Sequence, residues 1–195
     1  MAKRLFDLIL AALGLALFAP LLLLVAAWIK LDSKGPVLFR QERVGRHGEP
    51  FLIHKFRSMR TDNAGAQITV GADPRITRAG RAIRALKLDE LPQLWDVLRG
   101  AMSFVGPRPE VARYVALYPA GLRELVLSVR PGITDLASLE YRNESELLAR
   151  AADPEREYVE VVMPAKLALA AAYAREHSLA GDLRIIWRTV RAVWG

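Results

Sequence analysis

The chain of 195 residues contains no cysteine and only three histidines. Disulfides and thiolate metal sites are therefore excluded, and a zinc enzyme is not expected, because His47, His54 and His177 are the only possible imidazole ligands. The sequence also lacks internal repeats, low-complexity tracts and interdomain linkers. We therefore expect a single domain of ordinary size outside any membrane segment.

Negative charge is the scarcer sign. There are 21 Asp and Glu against 28 Lys and Arg, which gives a formal net charge of +7 and a pI of about 10.0. This balance favours anionic partners of three kinds, namely nucleic acid, phosphorylated metabolites and acidic lipid headgroups. Hydrophobic residues make up 52% of the chain, which is high for a soluble protein. Part of the chain is therefore expected to contact lipid.

A long apolar run near the N-terminus is the first candidate for that contact. Residues 8–29 include no charged residue, and 22 apolar or small residues are enough to cross a hydrocarbon core as a helix. A cleaved signal peptide is disfavoured, because the run is too long and no small-residue cleavage pattern follows it. A single spanning helix is the simplest interpretation.

Two features favour a re-entrant helix instead. Pro20 lies near the middle of the run and predicts a kink there. Basic residues flank both ends, and the positive-inside rule then places both ends in the cytoplasm. We therefore predict a re-entrant membrane hairpin over residues 1–34 and a cytoplasmic, membrane-associated domain over residues 35–195. The flanking basic residues are Lys3, Arg4, Lys30, Lys34 and Arg40.

The rest of the chain is predicted to be mainly α with one small β-hairpin. Strand propensity over 37–44 and 51–56, separated by Gly45-Arg46-His47-Gly48, indicates the hairpin. The polar segment 61–71 is predicted to be a loop. Helical periodicity covers residues 76–86, 91–98 with Gly100 as the terminator, 111–129, 144–152, 164–176 and 181–194.

The last predicted helix is amphipathic, and two interpretations of it stay open. Its tryptophans and basic residues are typical of an interfacial helix that lies on a membrane. An ordinary helix with one face on the core and a solvated basic face has the same pattern. The apolar face comprises Leu183, Ile186, Trp187, Val190 and Trp194, and the basic residues are Arg184, Arg188 and Arg191.

The strongest candidate site is the adjacent pair Asp89 and Glu90. Pro92 is tolerated only near a helix start, so the pair should lie at a helix N-terminus, where anions are favoured. Adjacent helical residues point about 100° apart, so the two carboxylates are expected to have different roles. One could attack phosphorus, while the other positions a metal or handles a proton. Nearby cations are Lys55, Arg57, Arg84, Lys87 and Arg108, the last in a loop stiffened by Pro107 and Pro109.

Five motifs in a fixed order carry a family resemblance. Together they resemble the bacterial sugar transferase family, in particular its small monotopic polyprenyl-phosphate phosphoglycosyltransferases. The resemblance covers nearly the whole chain, which is expected to correspond to the minimal catalytic unit. The motifs are Lys55-Phe56-Arg57-Ser58-Met59, Asp73-Pro74-Arg75-Ile76-Thr77, Leu88-Asp89-Glu90-Leu91-Pro92-Gln93, Gly106-Pro107-Arg108-Pro109 and Arg130-Pro131-Gly132-Ile133-Thr134.

The resemblance implies a two-step transfer. Asp89 is expected to attack the β-phosphate of a UDP-sugar, and polyprenyl phosphate then displaces the phospho-sugar from the aspartyl intermediate. Mg²⁺ is the expected cofactor with Asp89 as its ligand, and Glu90 is similar to the second dyad member. Arg84 is expected to hold the polyprenyl phosphate and Arg108 to contact the nucleotide sugar, with Lys55 and Gln93 as weaker candidates.

The same resemblance implies a location and a set of partners. The expected location is the cytoplasmic face of the bacterial inner membrane, with a monotopic helix kinked at Pro20. The expected partners are UDP-sugar, polyprenyl phosphate and membrane lipid, without nucleic acid. The sugar, the polyprenol length, the glycan pathway and the oligomeric state, including a homodimer, stay open.

One segment departs from the pattern of larger members. After Arg130-Pro131-Gly132-Ile133-Thr134 many of them continue with Gly-Trp-Ala, whereas this chain has Asp135-Leu136-Ala137-Ser138-Leu139 and then Tyr141-Arg142-Asn143-Glu144. The departure resembles a small-enzyme subgroup and leaves the catalytic assignment in place. A sugar specificity borrowed from the larger enzymes does not carry over.

Three alternatives are kept. Within the enzyme class, the same transfer can proceed by direct attack without a covalent intermediate, which kinetics would separate. In a different class, a membrane-tethered basic module would bind nucleic acid or acidic lipid, and Asp89→Asn would then be harmless. A scaffold whose basic residues only extend to the headgroup layer fits poorly with the prolines and arginines around the dyad.

Overall fold

A computed structural model describes residues 1–60, 71 and 73–194. The predicted loop over 61–71 therefore lies, apart from Gly71, outside the described residues. The fold is mainly helical, which confirms the predicted class. The helices are α1 (Ala2–Asp32), α2 (Arg78–Ala85), α3 (Gln93–Arg99), α4 (Ala112–Val115), α5 (Ala120–Leu127), α6 (Leu136–Glu140), α7 (Glu144–Ala149), α8 (Pro154–Glu157), α9 (Met163–Glu176) and α10 (Leu179–Trp194).

The predicted β-hairpin is confirmed. Strand β1 (Leu38–Val44) pairs antiparallel with β2 (Pro50–Phe56), so that Leu38 lies opposite Phe56. A tight turn over Arg46–Gly48 joins the strands. Ile53 and Phe56 of β2 are buried, which packs the hairpin onto the helical core.

A second, parallel two-stranded sheet was not predicted. Strand β3 (Ser103–Val105) pairs with β4 (Gly132–Thr134), and three residues are too few for periodicity to reveal a strand. The two backbones cross closely, since a Cβ added to Gly106 would lie 2.2 Å from the Arg130 carbonyl oxygen. A Cβ on Gly132 would lie 2.1 Å from the Gly106 nitrogen. Because neither position has room for a side chain, glycine at both lets the start of the 106–109 loop lie against the sheet.

Helix α1 is continuous over 31 residues, which corresponds to a length of about 46 Å along the helix axis. Pro20 lies inside it. By length and composition the helix could cross a membrane. Only 11% of its most apolar 18-residue stretch is buried within the protein. Large apolar side chains that are exposed along it include Leu5, Ile9, Leu13, Leu17, Leu24, Trp28 and Leu31.

The N-terminal end of α1 is anchored to the domain by polar contacts. The Arg4 guanidinium donates hydrogen bonds to the carbonyl oxygens of Val97 (2.7 Å) and Leu98 (3.2 Å). The buried Asp7 carboxylate accepts a bond of 3.2 Å from the Phe104 backbone nitrogen. This end of the helix is therefore fixed to the end of α3 and to β3.

The C-terminal end of α1 is anchored to the same domain. Asp32 accepts a hydrogen bond of 3.1 Å from the backbone nitrogen of Ala79 in α2. The buried Arg57, next to β2, donates to the carbonyl oxygen of Ser33 at 2.8 Å and also to that of Lys34. Both ends of the apolar helix therefore contact the same domain, which is formed by the rest of the chain.

Two predicted helices differ from those observed. The helix predicted over 111–129 is two helices, because Pro119, which lacks an N–H, stands immediately before α5. The helix predicted from residue 164 begins earlier, as α8 runs through a π-helical turn over Tyr158–Val162 into α9. The Asp153 carboxylate caps α8 by accepting from the backbone nitrogens of Glu155 and Arg156, both at 3.1 Å.

Candidate active site

The Asp89–Glu90 pair lies in a tight turn between two helices. Lys87 adopts a left-handed conformation (φ 54°) after α2, and a single 3₁₀ turn over Leu88–Glu90 follows. Pro92 stands immediately before α3. The pair therefore begins a helical segment, as predicted, but in a separate 3₁₀ turn rather than in the first turn of α3.

Glu90 is the centre of an ion-pair cluster. Its Oε1 atom accepts a hydrogen bond of 3.0 Å from the Lys55 ammonium of β2 and a second from the Arg108 guanidinium. Burial by itself would raise the pKa of Glu90, but the charges of Arg108 and Lys55 outweigh burial and lower that pKa far below its ordinary value. Glu90 is therefore ionised at neutral pH and fixes both cations.

The loop that carries Arg108 is itself held in place. The Asp135 carboxylate accepts a hydrogen bond of 3.2 Å from the Arg108 backbone nitrogen. The same carboxylate caps α6 by accepting 2.7 Å from the Ser138 nitrogen. Sequence reasoning missed this role, although an Asp three residues before Ser at the start of a short helix is an N-cap signal. The charge of Glu90 raises the pKa of the Arg108 guanidinium, which keeps it fully cationic.

Asp89 is the less engaged member of the pair. Its partly buried carboxylate makes no hydrogen bond or ion pair with the residues that the structure describes. Burial raises the pKa of Asp89, and the charge of Glu90 raises it further, against the opposing charges of Lys55, Arg84 and Lys87. The Asp89 oxygens are therefore available to an incoming group.

The carboxylates of Asp89 and Glu90 limit which metal ion the site could hold. Within residues 1–60, 71 and 73–194 no group of three or more His, Asp and Glu side chains is placed to hold a metal ion. Mg²⁺ commonly uses one or two carboxylates and completes its shell with water and substrate phosphates. One unengaged carboxylate at Asp89 fits such a shared ion, whereas an all-protein metal cage does not fit.

A cleft of about 580 Å³ lies beside Glu90 of the dyad. Its lining includes the charged side chains of Arg84, Lys87, Glu90 and Arg108. Apolar side chains of α1 and α10 line it as well. A ligand in this cleft would place an anionic group against the cations and an apolar group along α1. The apolar lining includes Leu10, Phe18, Leu94, Phe104, Ile186 and Val190.

The comparison with known sequences decides the family. The sequence profile of the bacterial sugar transferase family matches residues 1–195. The chain belongs to this family. The resemblance inferred from the motifs is therefore confirmed over the whole length.

Several curated relatives of this sugar transferase are similar over most of its length. A UDP-glucose:undecaprenyl-phosphate glucose-1-phosphate transferase of Caulobacter vibrioides is 44% identical over 192 residues, which are 96% of this chain and 68% of the relative. The exopolysaccharide production protein PSS of Rhizobium leguminosarum bv. phaseoli is 40% identical over 96% of this chain and 92% of its own length.

Another relative carries a different sugar in its name. A UDP-N-acetylgalactosamine-undecaprenyl-phosphate N-acetylgalactosaminephosphotransferase of Aeromonas hydrophila is 37% identical over 98% of this chain. The matched region is only 43% of that relative. The chain thus spans less than half of some curated relatives and most of others.

The sugar transferase brings most of the predicted site residues together. Glu90, Lys55 and Arg108 form one ion-pair cluster, and Arg84 lines the cleft with Glu90 and Arg108. Asp89 lies in the same turn as Glu90, and its pKa responds to the charge of Lys55. Gln93 does not line the cleft and is buried, with 1% of its surface exposed. The Gln93 amide nitrogen has no hydrogen-bond partner within the described residues.

Two arginines have roles that the sequence does not indicate. The Arg57 guanidinium is buried and donates to the carbonyl oxygens of Ser33 and Lys34. Arg142, which lies in the departing segment, lines the cleft of the sugar transferase. The segment that follows β4 therefore supplies part of the site wall, and no local motif marks it.

Helix α10 packs on the domain, and contact of its outer face with a membrane stays a prediction. Ile185 and Asp182 are buried in the domain, whereas Leu183 and Trp187 are exposed, Trp187 by 62%. The side chain of Trp194 lies outside the described part of the chain. The helix thus packs on the core through one face and presents an apolar face outward.

Proposed function

We propose that this sugar transferase moves a phospho-sugar from a UDP-sugar to a polyprenyl phosphate and releases UMP. The observation that carries the proposal is the cleft, whose lining combines Glu90 and several cations with apolar side chains of α1. The unengaged Asp89 carboxylate belongs to the residue next to Glu90. Such a cleft suits an acceptor with a phosphate head and a long hydrocarbon chain. The names of the relatives support the same substrate classes.

In the proposed first step, an oxygen of Asp89 attacks the β-phosphorus of the UDP-sugar. The new bond joins the Asp89 oxygen to phosphorus, and the bond to the oxygen that bridges the α- and β-phosphates breaks. UMP leaves with the electron pair of that bond. Arg108 and Lys55 lie beside Asp89 in positions fixed by Glu90, where they can offset charge on the phosphate oxygens.

In the proposed second step, a phosphate oxygen of the polyprenyl phosphate attacks the same phosphorus. The bond between phosphorus and Asp89 breaks, which restores the carboxylate and gives a polyprenyl diphosphate sugar. Arg84 and Lys87 line the same cleft as apolar side chains of α1, and no described carboxylate forms an ion pair with either. They are the cations best placed to receive the acceptor phosphate.

Mg²⁺ is part of the proposal, with Asp89 as its protein ligand. When bound there, the ion would neutralise phosphate charge as donor and enzyme approach each other. Glu90 is a poorer ligand, because its Oε1 atom already accepts from two cations. The proposal assigns Glu90 to the positioning of Lys55 and Arg108 instead.

A monotopic arrangement at the cytoplasmic face of the inner membrane is also proposed. A helix that crossed the bilayer would separate its two ends by the membrane thickness, about 30 Å of hydrocarbon. Contacts of Arg4 with the end of α3 and of Asp32 with α2 support a helix whose ends lie on the same side. Re-entry with a bend near Pro20 would satisfy those contacts.

The test is UMP release by detergent-solubilised protein with Mg²⁺. The donors are UDP-glucose, UDP-galactose and UDP-N-acetylgalactosamine, each with and without undecaprenyl phosphate. We expect one donor to give a burst of UMP, at most stoichiometric with enzyme, before acceptor is added, and sustained turnover afterwards. Asp89→Asn should remove both, whereas the control Asp153→Asn, which keeps its helix cap, should retain both.

Direct attack by the acceptor is the competing mechanism. It predicts sustained UMP release with acceptor and no burst without it. Full activity of Asp89→Asn would contradict the role of this residue in both mechanisms. No UMP release by the wild type with any donor would instead favour the basic lipid-binding module.

A further inference from the structure

A second cavity, of about 380 Å³, lies at the other end of α3 from the dyad. Helix α3 begins next to the Asp89–Glu90 turn, and Arg4 contacts the carbonyl oxygens of its last turn. Arg4, Arg46 and Arg130 line the cavity, together with Ser103. Its size falls within the roughly 300–1,000 Å³ range of small-molecule pockets.

The three arginines bring positive charge without a matching carboxylate. None of them forms an ion pair with any residue that the structure describes. Burial lowers the pKa of the Arg130 guanidinium, and the nearby charges of Arg4 and Arg46 lower it further. The guanidinium groups are therefore close enough to repel one another.

The acids near the cavity do not neutralise it. Asp7 lines the cavity, but it is buried and accepts a hydrogen bond from the Phe104 backbone. Asp182 is paired with Lys3 and is also hydrogen-bonded to the Tyr173 hydroxyl at 2.8 Å. One engaged carboxylate in the lining thus faces three arginines.

A purely structural explanation accounts for only part of these side chains. Arg4 and the Nε of Arg130 donate to the carbonyl oxygens of Val97, Leu98 and Gly100, which caps the end of α3. That capping leaves both terminal nitrogens of Arg130 without a described protein partner. Arg46 likewise uses only its Nε, on the carbonyl oxygen of Ser128 at 2.8 Å.

Ser103 provides an independent observation at the same place. Its side chain has 0% exposure, it lines the cavity, and its Oγ atom has no hydrogen-bond partner within the described residues. A buried hydroxyl without a partner is unfavourable, so such groups are usually satisfied by a ligand or by water. The Ser103 hydroxyl can donate to an anionic oxygen placed among the arginines.

We propose that this cavity binds a phosphate group, held by Arg130, Arg46 and the Ser103 hydroxyl. The group would be a phosphodiester of an anionic phospholipid or a free phosphate. The cavity adjoins the first turns of α1, where the apolar side chains of Leu5 and Ile9 are exposed. This inference does not depend on the proposed transfer reaction, because none of its residues lines the catalytic cleft.

The test measures binding by calorimetry with detergent-solubilised full-length protein. The probes are dioctanoyl-phosphatidylglycerol, dioctanoyl-phosphatidylcholine and inorganic phosphate. Arg46→Ala is the first variant, because Arg46 is exposed and its replacement removes only one hydrogen bond to the protein. Arg150→Ala is the matched control, since Arg150 is an exposed arginine that makes no described side-chain contact and lies outside the cavity.

Wild type should bind phosphatidylglycerol, and Arg46→Ala should weaken that binding about tenfold, as expected for one lost charge-assisted hydrogen bond. Ser103→Ala should also weaken it while leaving the melting temperature equal or higher, because an unpaired buried hydroxyl is removed. If inorganic phosphate competes and shows the same variant dependence, the ligand is a free phosphate. Equal affinities of wild type, Arg46→Ala and Arg150→Ala for phosphatidylglycerol and for inorganic phosphate would overturn the proposal, as would binding of phosphatidylcholine as tight as that of phosphatidylglycerol.

Discussion

The two ends of α3 present cations in opposite ways. At the dyad end, Lys55 and Arg108 both bind one carboxylate, Glu90, before any substrate arrives. At the other end, Arg46 and Arg130 have no carboxylate partner among the described residues. Chemistry at phosphorus requires cations in fixed positions, whereas simple anion binding requires only attraction. The difference separates cations held in place by a carboxylate from cations that have no carboxylate counter-charge within the described residues.

The strongest way to sharpen this comparison is to remove the nucleophile without disturbing the ion pairs. Asp89→Asn should lower kcat by about 10⁴-fold, because a covalent route loses its attacking atom. Its melting temperature should stay equal or rise, since a partly buried charge next to Glu90 disappears. Steady-state kinetics and thermal unfolding in detergent measure the two effects. A large loss of stability would show that Asp89 is part of the framework.

Replacing Glu90, the carboxylate that Lys55 and Arg108 share, should remove the difference between the two ends of α3. Glu90→Gln leaves Lys55 and Arg108 without a counter-charge, so the variant should lose about 1–3 kcal/mol of stability. Activity should fall about 100-fold, because misplaced catalytic groups lose that order of rate. The control is Glu124→Gln, an exposed glutamate on α5 that makes no described contact. If Glu90→Gln were as stable as that control, Glu90 would not be the anchor.

Arg84 tests the side of the cleft where cations are unpaired. Arg84→Ala should raise the KM for polyprenyl phosphate about tenfold, as expected for one lost contact to a phosphate. The UMP burst without acceptor should keep its amplitude, because the donor half-reaction uses other residues. A loss of the burst would instead place Arg84 at the donor phosphates.

The smallest expected effect is a pH dependence of the Glu90 cluster. The pKa of the Glu90 carboxyl is lowered in the folded state. Its ion pairs therefore contribute fully to the free energy of unfolding above the unfolded glutamate pKa of about 4.3. The contribution is lost as pH falls toward the folded value. The difference in unfolding free energy between wild type and Glu90→Gln should therefore be constant from pH 8 to about 5 and shrink below about 4. Urea titrations at several pH values measure it.

Much of the helical layout was predictable, because it depends on local patterns. The hairpin, the terminator at Gly100 and the placement of Asp89 before α3 all follow from turn residues and periodicity. The second sheet was not predictable, since β3 and β4 are short and pair across 29 residues of sequence, between Ser103 and Gly132. Long-range pairing of three-residue strands leaves almost no local signal.

Within the site, residue types were predictable but their roles were not. Of the cations that the sequence predicts near the dyad, Lys55 and Arg108 bind Glu90, whereas Arg57 binds the end of α1. Tertiary contacts decide which cation meets which acceptor. Arg142 and Asp135 enter the site through the fold of the segment after β4, which no motif describes.

The anchoring of α1 has a consequence for the order of events during synthesis. Asp32 and Ser33 meet their partners within residues 57–79, so the C-terminal end of the helix can dock early. Lys3 pairs with Asp182, which is 179 residues further along the chain. At a translation rate of roughly 5–20 residues per second, the first turn of the helix waits many seconds for that partner. In the proposed membrane arrangement, the apolar helix would therefore enter lipid before the domain closes around its first turn, and before the second cavity is complete.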